Sequence, residues 1–378
     1  MMNRAGVLFS ALMMLGVGGT AFAQESWLLL PQQNGEDVVA VAAGNTLRIV
    51  ATPGRVGSYG LTDHGLEFLS YEPRLARHVL TMVDQSTGAV AAPVLINMDD
   101  SVIPVRWMSG AIPDVALINQ FAYFVSYTHR DGAGGPEHNP GGGYFDLDRV
   151  SLADGQVEQF PLPKDCVNPR LVNFRGMPLV YSWEGFGVAK FDVTKQAVVT
   201  LVSDSDVSDI VQREGNTKYV RQGPQNAIFS DYAIVPGQGA FRLSRVGELQ
   251  QVLNADLSLV SMPRRTVKVA ETGEQPEIRL GTLHSTTVIG VIRTLSDRLE
   301  LDYIDPVTFN VEWRLTLPKT TSIPSLYGLS DNAVFYLDRA TATIVKVTQR
   351  GQTVMHRMTS DQAFRGVNIL SVTGTARP

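Results

Sequence analysis

Short runs of alternating apolar and polar residues recur along the chain, broken at close intervals. Val79-Leu80-Thr81-Met82-Val83, Leu299-Glu300-Leu301-Asp302-Tyr303-Ile304 and Ile344-Val345-Lys346-Val347 read as strands. A period of two sends successive side chains to opposite faces of a sheet. Beyond residue 23 no stretch carries the helical spacing of apolar positions. Gly, Pro, Asn and Asp separate the runs, as tight turns require. The pattern predicts an all-β protein.

A turn signature recurs between these strands. Its clearest copies are Val83-Asp84-Gln85-Ser86-Thr87-Gly88, Ile304-Asp305-Pro306-Val307-Thr308 and Leu337-Asp338-Arg339-Ala340-Thr341. The aspartate side chain accepts hydrogen bonds from amides two residues on, and a threonine can do the same, so these aspartates are structural. Taking Asp84, Asp148, Asp192, Ser244, Asp305 and Asp338 as equivalent gives gaps of 33 to 64 residues, about 51 on average. A period of this length in an all-β pattern points to a β-propeller. Six four-stranded antiparallel blades are expected over 55–97, 101–163, 166–203, 208–255, 257–318 and 322–359. Residues 26–52 hold three further strand-like runs and 366–373 one. Together they predict a seventh blade that closes the ring with strands from both termini and so removes exposed sheet edges.

The first 23 residues have a different character. Arg4 precedes a short apolar run from Val7 to Val17, and Ala21-Phe22-Ala23 forms a small-x-small cleavage site. This reads as a secretory signal peptide over 1–23, followed by one propeller domain over 24–378. Removing it turns the formal charge of −5 into −6, an acidic balance that argues against nucleic acid as a partner. No later segment has eighteen consecutive apolar residues, so no membrane span is expected after cleavage. No cysteine directly follows the apolar run, so no lipid anchor is expected, and with a single cysteine, Cys166, no internal disulfide is expected. A periplasmic or secreted location is expected.

The repeats resemble those of secreted quinoprotein-like and YVTN-type β-propellers, whose turns run strand-Asp-x-x-Thr-Gly-strand with a tryptophan sometimes following. In the segment Tyr303 to Trp313, Asp305, Thr308 and Trp313 match that pattern, while Tyr303 and Phe309 stand where alanine and glycine are expected. Ala92 takes the tryptophan's place in the first copy. The resemblance implies the fold and carries no quinone site to any residue here; no cofactor is expected.

Chemistry is sought first in the longest irregular segment, Thr128 to Gly143. Its His129, Arg130, Asp131, Glu137 and His138 lie among six glycines. A long loop inside a blade with side chains of this kind suits ligand or partner contact. The spacing of its histidines and carboxylates matches no established metal motif, and no metal site is expected. Asp204 to Asp209 resembles the first half of a calcium loop but lacks its glycine and closing glutamate. Trp183 and Phe186, in an aromatic and glycine cluster, are a second contact candidate, able to stack on a sugar or a peptide. Arg264, Arg265 and Lys268 form a small basic spot. There is no Gly-x-Ser-x-Gly elbow, no His-Glu-x-x-His and no paired cysteine.

The reading that follows is an exported, non-catalytic binding or scaffold propeller of the cell envelope, with an envelope protein or small ligand as partner. One alternative is a heavy-chain-like subunit of a periplasmic dehydrogenase. This rests on resemblance to the propeller subunits of amine dehydrogenases, whose partner carries the cofactor. Another is a lyase or hydrolase with residues from several blades at the channel mouth.

Overall fold

The structure is a computed structural model that describes residues 26–31, 37–43, 46–61, 65–72, 77–84, 89–98, 102–104, 115–128, 145–163, 167–184, 187–202, 230–244, 247–261, 265–271, 275–284, 286–318, 325–330, 333–338, 340–359 and 368–370. All regular structure in these residues is β. No helix among them is long and apolar enough to cross a membrane.

The first sheet is built from both ends of the chain. Its strands are β1 (Ser26–Pro31), β2 (Asp37–Ala43), β3 (Thr46–Leu61), β4 (Gly65–Glu72), β5 (Arg77–Asp84), β6 (Val94–Ile96) and the last strand, β28 (Asn368–Leu370). They lie in the order β28-β1-β2-β3-β4-β5-β6. In the second sheet β7 (Val102–Pro104) and β8 (Val115–Ile118) pair end to end along β9 (Phe121–Thr128), followed by β10 (Phe145–Ser151) and β11 (Val157–Pro161). The remaining four sheets are consecutive four-stranded meanders. The third holds β12 (Val167–Phe174), β13 (Met177–Glu184), β14 (Val188–Asp192) and β15 (Ala197–Val202). The fourth holds β16 (Ser230–Val235), β17 (Gly239–Ser244), β18 (Glu248–Leu253) and β19 (Thr266–Lys268). The fifth holds β20 (Gln275–Leu283), β21 (Thr286–Thr294), β22 (Arg298–Ile304) and β23 (Val311–Pro318). The sixth holds β24 (Ser325–Ser330), β25 (Ala333–Asp338), β26 (Thr343–Thr348) and β27 (Gly351–Arg357). This is a β-propeller of antiparallel four-stranded blades.

The sheets number six among the described residues, where the sequence predicts seven blades. The reason lies in β3. Its first part pairs with β2 as far as Gly54, and its second part pairs with β4 from Arg55 onward. One unbroken strand of 16 residues therefore joins what the repeat predicts as two units.

Alternation along each strand feeds two different cores, because each sheet is covered on both faces. Val291 packs with Phe241 and Leu249 of the fourth sheet, while its neighbour Ile292 packs with Val334 and Val345 of the sixth. Phe335 turns the other way, toward Leu30, Val38 and Ala40 of the first sheet. Val125 and Leu147 meet Leu171, Val180 and Phe191, joining the second and third sheets. Leu179 and Val188 meet Ile234 and Val252, joining the third and fourth. Leu69, Leu80 and Ile96 meet Ala122, Phe124 and Val150, joining the first and second. Within the first sheet, Val39 and Val41 of β2 pack on Leu66 and Phe68 of β4, so the two strands that flank β3 share one core. Each fully buried Leu, Val, Ile or Phe side chain in these cores contributes roughly 1.5–3 kcal/mol.

The turn aspartates act as the sequence predicts, with two corrections of place. Asp305 Oδ1 accepts from the amides of Val307 at 2.8 Å and Thr308 at 2.6 Å and from the Thr308 hydroxyl at 3.1 Å. Asp192 Oδ1 accepts likewise from Thr194 and Lys195, and the Thr194 hydroxyl at 2.6 Å holds its carboxyl below the usual range. Asp338 repeats the pattern with Ala340 and Thr341. The residue four places after each aspartate is left-handed: Gln196 at φ 49°, Phe309 at 60° and Ala342 at 51°. Phe309 thus occupies the conformation that glycine fills in the resembling families. It keeps that strained place by packing on Phe241, with ring centroids 5.9 Å apart, and under the Arg265 guanidinium at 5.0 Å. Trp313 stacks on Tyr303 at 4.9 Å.

The six positions taken as equivalent are not. Asp84, Asp192 and Asp305 close the third strand of their units, whereas Ser244 and Asp338 close the second. Asp148 lies inside β10 and is fully buried. The turn there belongs to Asp154 and Gly155 instead. Gly155 sits at φ 72°, and a Cβ on it would collide with the Leu95 carbonyl of β6, so glycine alone fits where the second sheet abuts the first.

Replacing Asp305 with alanine removes the acceptor for two amides and a hydroxyl. The expected loss is about 1 kcal/mol of folding stability, read as a lower urea midpoint at unchanged m-value.

Candidate functional site

The two contact candidates from the sequence hang from equivalent connections of neighbouring sheets. β9 ends at Thr128 and β10 begins at Phe145; β13 ends at Glu184 and β14 begins at Val188. Each is the connection from second to third strand of its sheet. First strand β8 lies beside first strand β12, and last strand β11 beside last strand β15, so the two sheets share an orientation. Both connections therefore leave at the same edge.

His129, Arg130, Asp131, Glu137, His138 and Phe186 lie outside the described residues, as do Cys166, Arg264 and the segment from Asp204 to Asp209. Trp183 is placed through its main chain, in β13. Tyr181 of the same aromatic cluster packs into the core between the third and fourth sheets. Of the basic spot, Arg265 donates to the Val307 carbonyl at 3.1 Å and Lys268 pairs with Glu271 at 2.9 Å. Among the described residues no group of three or more His, Cys, Asp or Glu side chains is placed to hold a metal.

Beneath the 128–145 connection, the second sheet carries polar groups that the sequence does not single out. Asp148 is fully buried in β10, with Asp146 two residues away on the same face. Gln159 Nε2 donates to Asp148 Oδ1 at 3.1 Å. Oδ2 has no partner, and the buried Ser126 hydroxyl, also without one, stands nearby outside hydrogen-bonding geometry. Desolvation dominates and drives the Asp148 carboxyl up to about 7. A carboxyl poised there has the proton affinity of a general acid or base. The Asp148 side chain itself has no exposed surface.

The opposite face of β10 carries Arg149. Its guanidinium lies 4.9 Å from the Phe121 ring centroid, 5.4 Å from Phe160 and 5.5 Å from Phe191 of the third sheet. Its Nε donates to Glu158 Oε2 at 2.7 Å, and its Nη2 to Gln196 Oε1 at 3.1 Å, on the neighbouring turn. One cation thus ties the two sheets that bear the candidate connections, through aromatic faces and a cross-sheet hydrogen bond. The sequence gives no warning of this cage, since its members come from four separated segments.

No protein-family model matches the chain, and no curated protein matches it. Solved structures do. TolB from Acinetobacter baumannii is 12% identical, with 79% of this chain and 64% of that one covered and a TM-score of 0.41. A structure described as one of two prolyl endopeptidases is 12% identical over 93% of this chain, which spans half of that protein, with a TM-score of 0.49. The periplasmic gluconolactonase PpgL of Pseudomonas aeruginosa is 13% identical, with 92% and 99% of the two chains covered and a TM-score of 0.48. Such distant similarities concern the fold alone.

Replacing Arg149 with alanine strips the cage of its cation and is expected to cost about 2–4 kcal/mol. Replacing Glu158, whose side chain is 57% exposed, with glutamine is expected to cost less than about 1 kcal/mol. Thermal unfolding of the two variants checks the order.

Proposed function

We propose that the chain is an exported, non-catalytic β-propeller of the cell envelope that recognises a protein or small ligand through one edge of its ring. In this reading residues 1–23 are removed on export to the periplasm or exterior, and 24–378 form a single propeller domain. The pairing of β28 with β1 closes the ring in this reading. The register Trp27↔Leu370, Leu28↔Ile369 and Leu29↔Asn368 supports that closure, as does the packing of β1 and β2 on the sixth sheet.

The observation that carries the recognition reading is the shared edge of the 128–145 and 184–188 connections. Sequence separates His129, Arg130, Asp131, Glu137 and His138 from Trp183 and Phe186, yet their attachment points belong to adjacent, equally oriented sheets. Segments whose sequence holds glycines, both charge signs and two aromatics suit contact with a polar partner surface.

The test is affinity capture of the tagged, exported protein from its native envelope fraction. The control variant has residues 129–144 replaced by a short Gly-Ser linker and unchanged thermal stability. A stoichiometric partner, held by the full chain and lost with the linker, is the expected result. A folded protein that captures nothing overturns the scaffold reading, and a captured subunit bearing a quinone or haem replaces it with the dehydrogenase-subunit one.

A further inference from the structure

The second and fifth sheets carry the same acidic step in their third strand and complete it differently. In the fifth, Glu300 and Asp302 of β22 stand opposite Arg293 of β21 and Arg314 of β23, respectively. Arg293 Nη2 lies 2.7 Å from Glu300 Oε2 and 3.1 Å from Asp302 Oδ2. Arg314 grips Asp302 with two nitrogens, Nε on Oδ1 at 2.6 Å and Nη2 on Oδ2 at 2.9 Å. Arg298 adds a third cation, its Nε 2.7 Å from Glu300 Oε1, and Glu300 is held below the usual carboxylate range chiefly by that bond. Buried Asp302 is thus fully compensated.

In the second sheet Asp146 and Asp148 take the places of Glu300 and Asp302 in β10. Asp146 faces Ser126 of β9, where the fifth sheet has Arg293 facing Glu300. Asp148 faces Gln159 of β11, where the fifth sheet has Arg314 facing Asp302. Both arginines of the repeat are therefore replaced by neutral residues. What remains is a fully buried carboxyl with one donor, an unpartnered Oδ2 and an unpartnered Ser126 hydroxyl beside it. Among the described side chains, the first sheet, packed on this face, adds no arginine or lysine opposite Asp148; Arg55 of β3, beside Tyr71 in the register, is placed through its main chain. Alternation in the first sheet points Glu67 and Tyr71 of β4 and His78 of β5 toward the interface. Tyr71 and His78 meet edge to face, and Arg77 reaches Asn97, which bonds the Asp154 turn at the far end. β8 contributes only Val115, Ala116, Leu117 and Ile118.

We infer that this acidic step is a pH-responsive packing element: a proton on Asp148 does for the second sheet what two arginines do for the fifth, and losing it loosens the second sheet against the first. A carboxyl whose affinity for protons rises on folding takes them up between the ordinary aspartate range and about 7. Folded stability therefore falls as pH rises through that window and levels off above it. The strands that respond are β9 and β10, which carry the connection assigned above to recognition.

The test is amide hydrogen exchange of the full chain from about pH 5.5 to 8.5, corrected for intrinsic exchange, with β21–β23 as internal reference. In the natural chain, protection of β9–β11 should fall on the order of tenfold or more relative to the reference, and Asp148→Asn should abolish that fall. If the Asn variant does not fold, Gln159→Arg restores the missing guanidinium and should flatten the profile in its place. A pH-independent natural chain, or a variant that keeps the full pH dependence, overturns the proposal.

Discussion

Everything in this fold follows from one constraint: a blade has no solvent face. Each sheet is apolar on both sides, so it is stable only between two neighbours. Val291 and Ile292 make the point in adjacent positions, one serving the fourth sheet and the other the sixth. Such a sheet at the end of an open row would expose an apolar face. The first sheet answers this by drawing strands from both ends of the chain and packing β2 with β4 in one core.

The same constraint decides what polar residues can do. On a one-sided sheet the polar half of an alternating strand meets water. Here Asp146, Asp148, Glu300 and Asp302 occupy that half and find another sheet in front of them. Buried charge must be paired or neutralised, and a carboxylate is neutralised by taking up a proton. The fifth sheet takes the first course with its arginines, and the second takes the other with Asp148. Arg149 shows a third solution, a cation settled on aromatic faces that belong to two sheets at once.

This explains what was legible in the sequence. Strand content, the Asp-x-x-Thr turns and the pairing of the two ends were readable because each depends on local chemistry or on counting strands. The equivalence of the six turn positions failed because a propeller unit has more than one hairpin that an aspartate can close. Asp338 and Ser244 close a different one from Asp305, and Asp148 closes none. The blade count failed at β3, where a long strand passes through a predicted boundary without a turn. The candidate site was legible only as loop segments. That their attachment points lie on adjacent sheets needed the sheet order, and the Asp148 cluster and Arg149 cage needed residues far apart in sequence. An alternating Phe-Asp-Leu-Asp-Arg-Val gives no hint that both of its faces are covered.

The most direct test of the two-neighbour account is calorimetry of a chain ending at residue 366, which lacks β28. If closure by β28 on β1 holds the first and sixth sheets together, the unfolding transition should drop by about 10 °C or more and lose cooperativity. Exchange should then begin in β1 and β2. A transition of unchanged temperature and enthalpy would contradict the account.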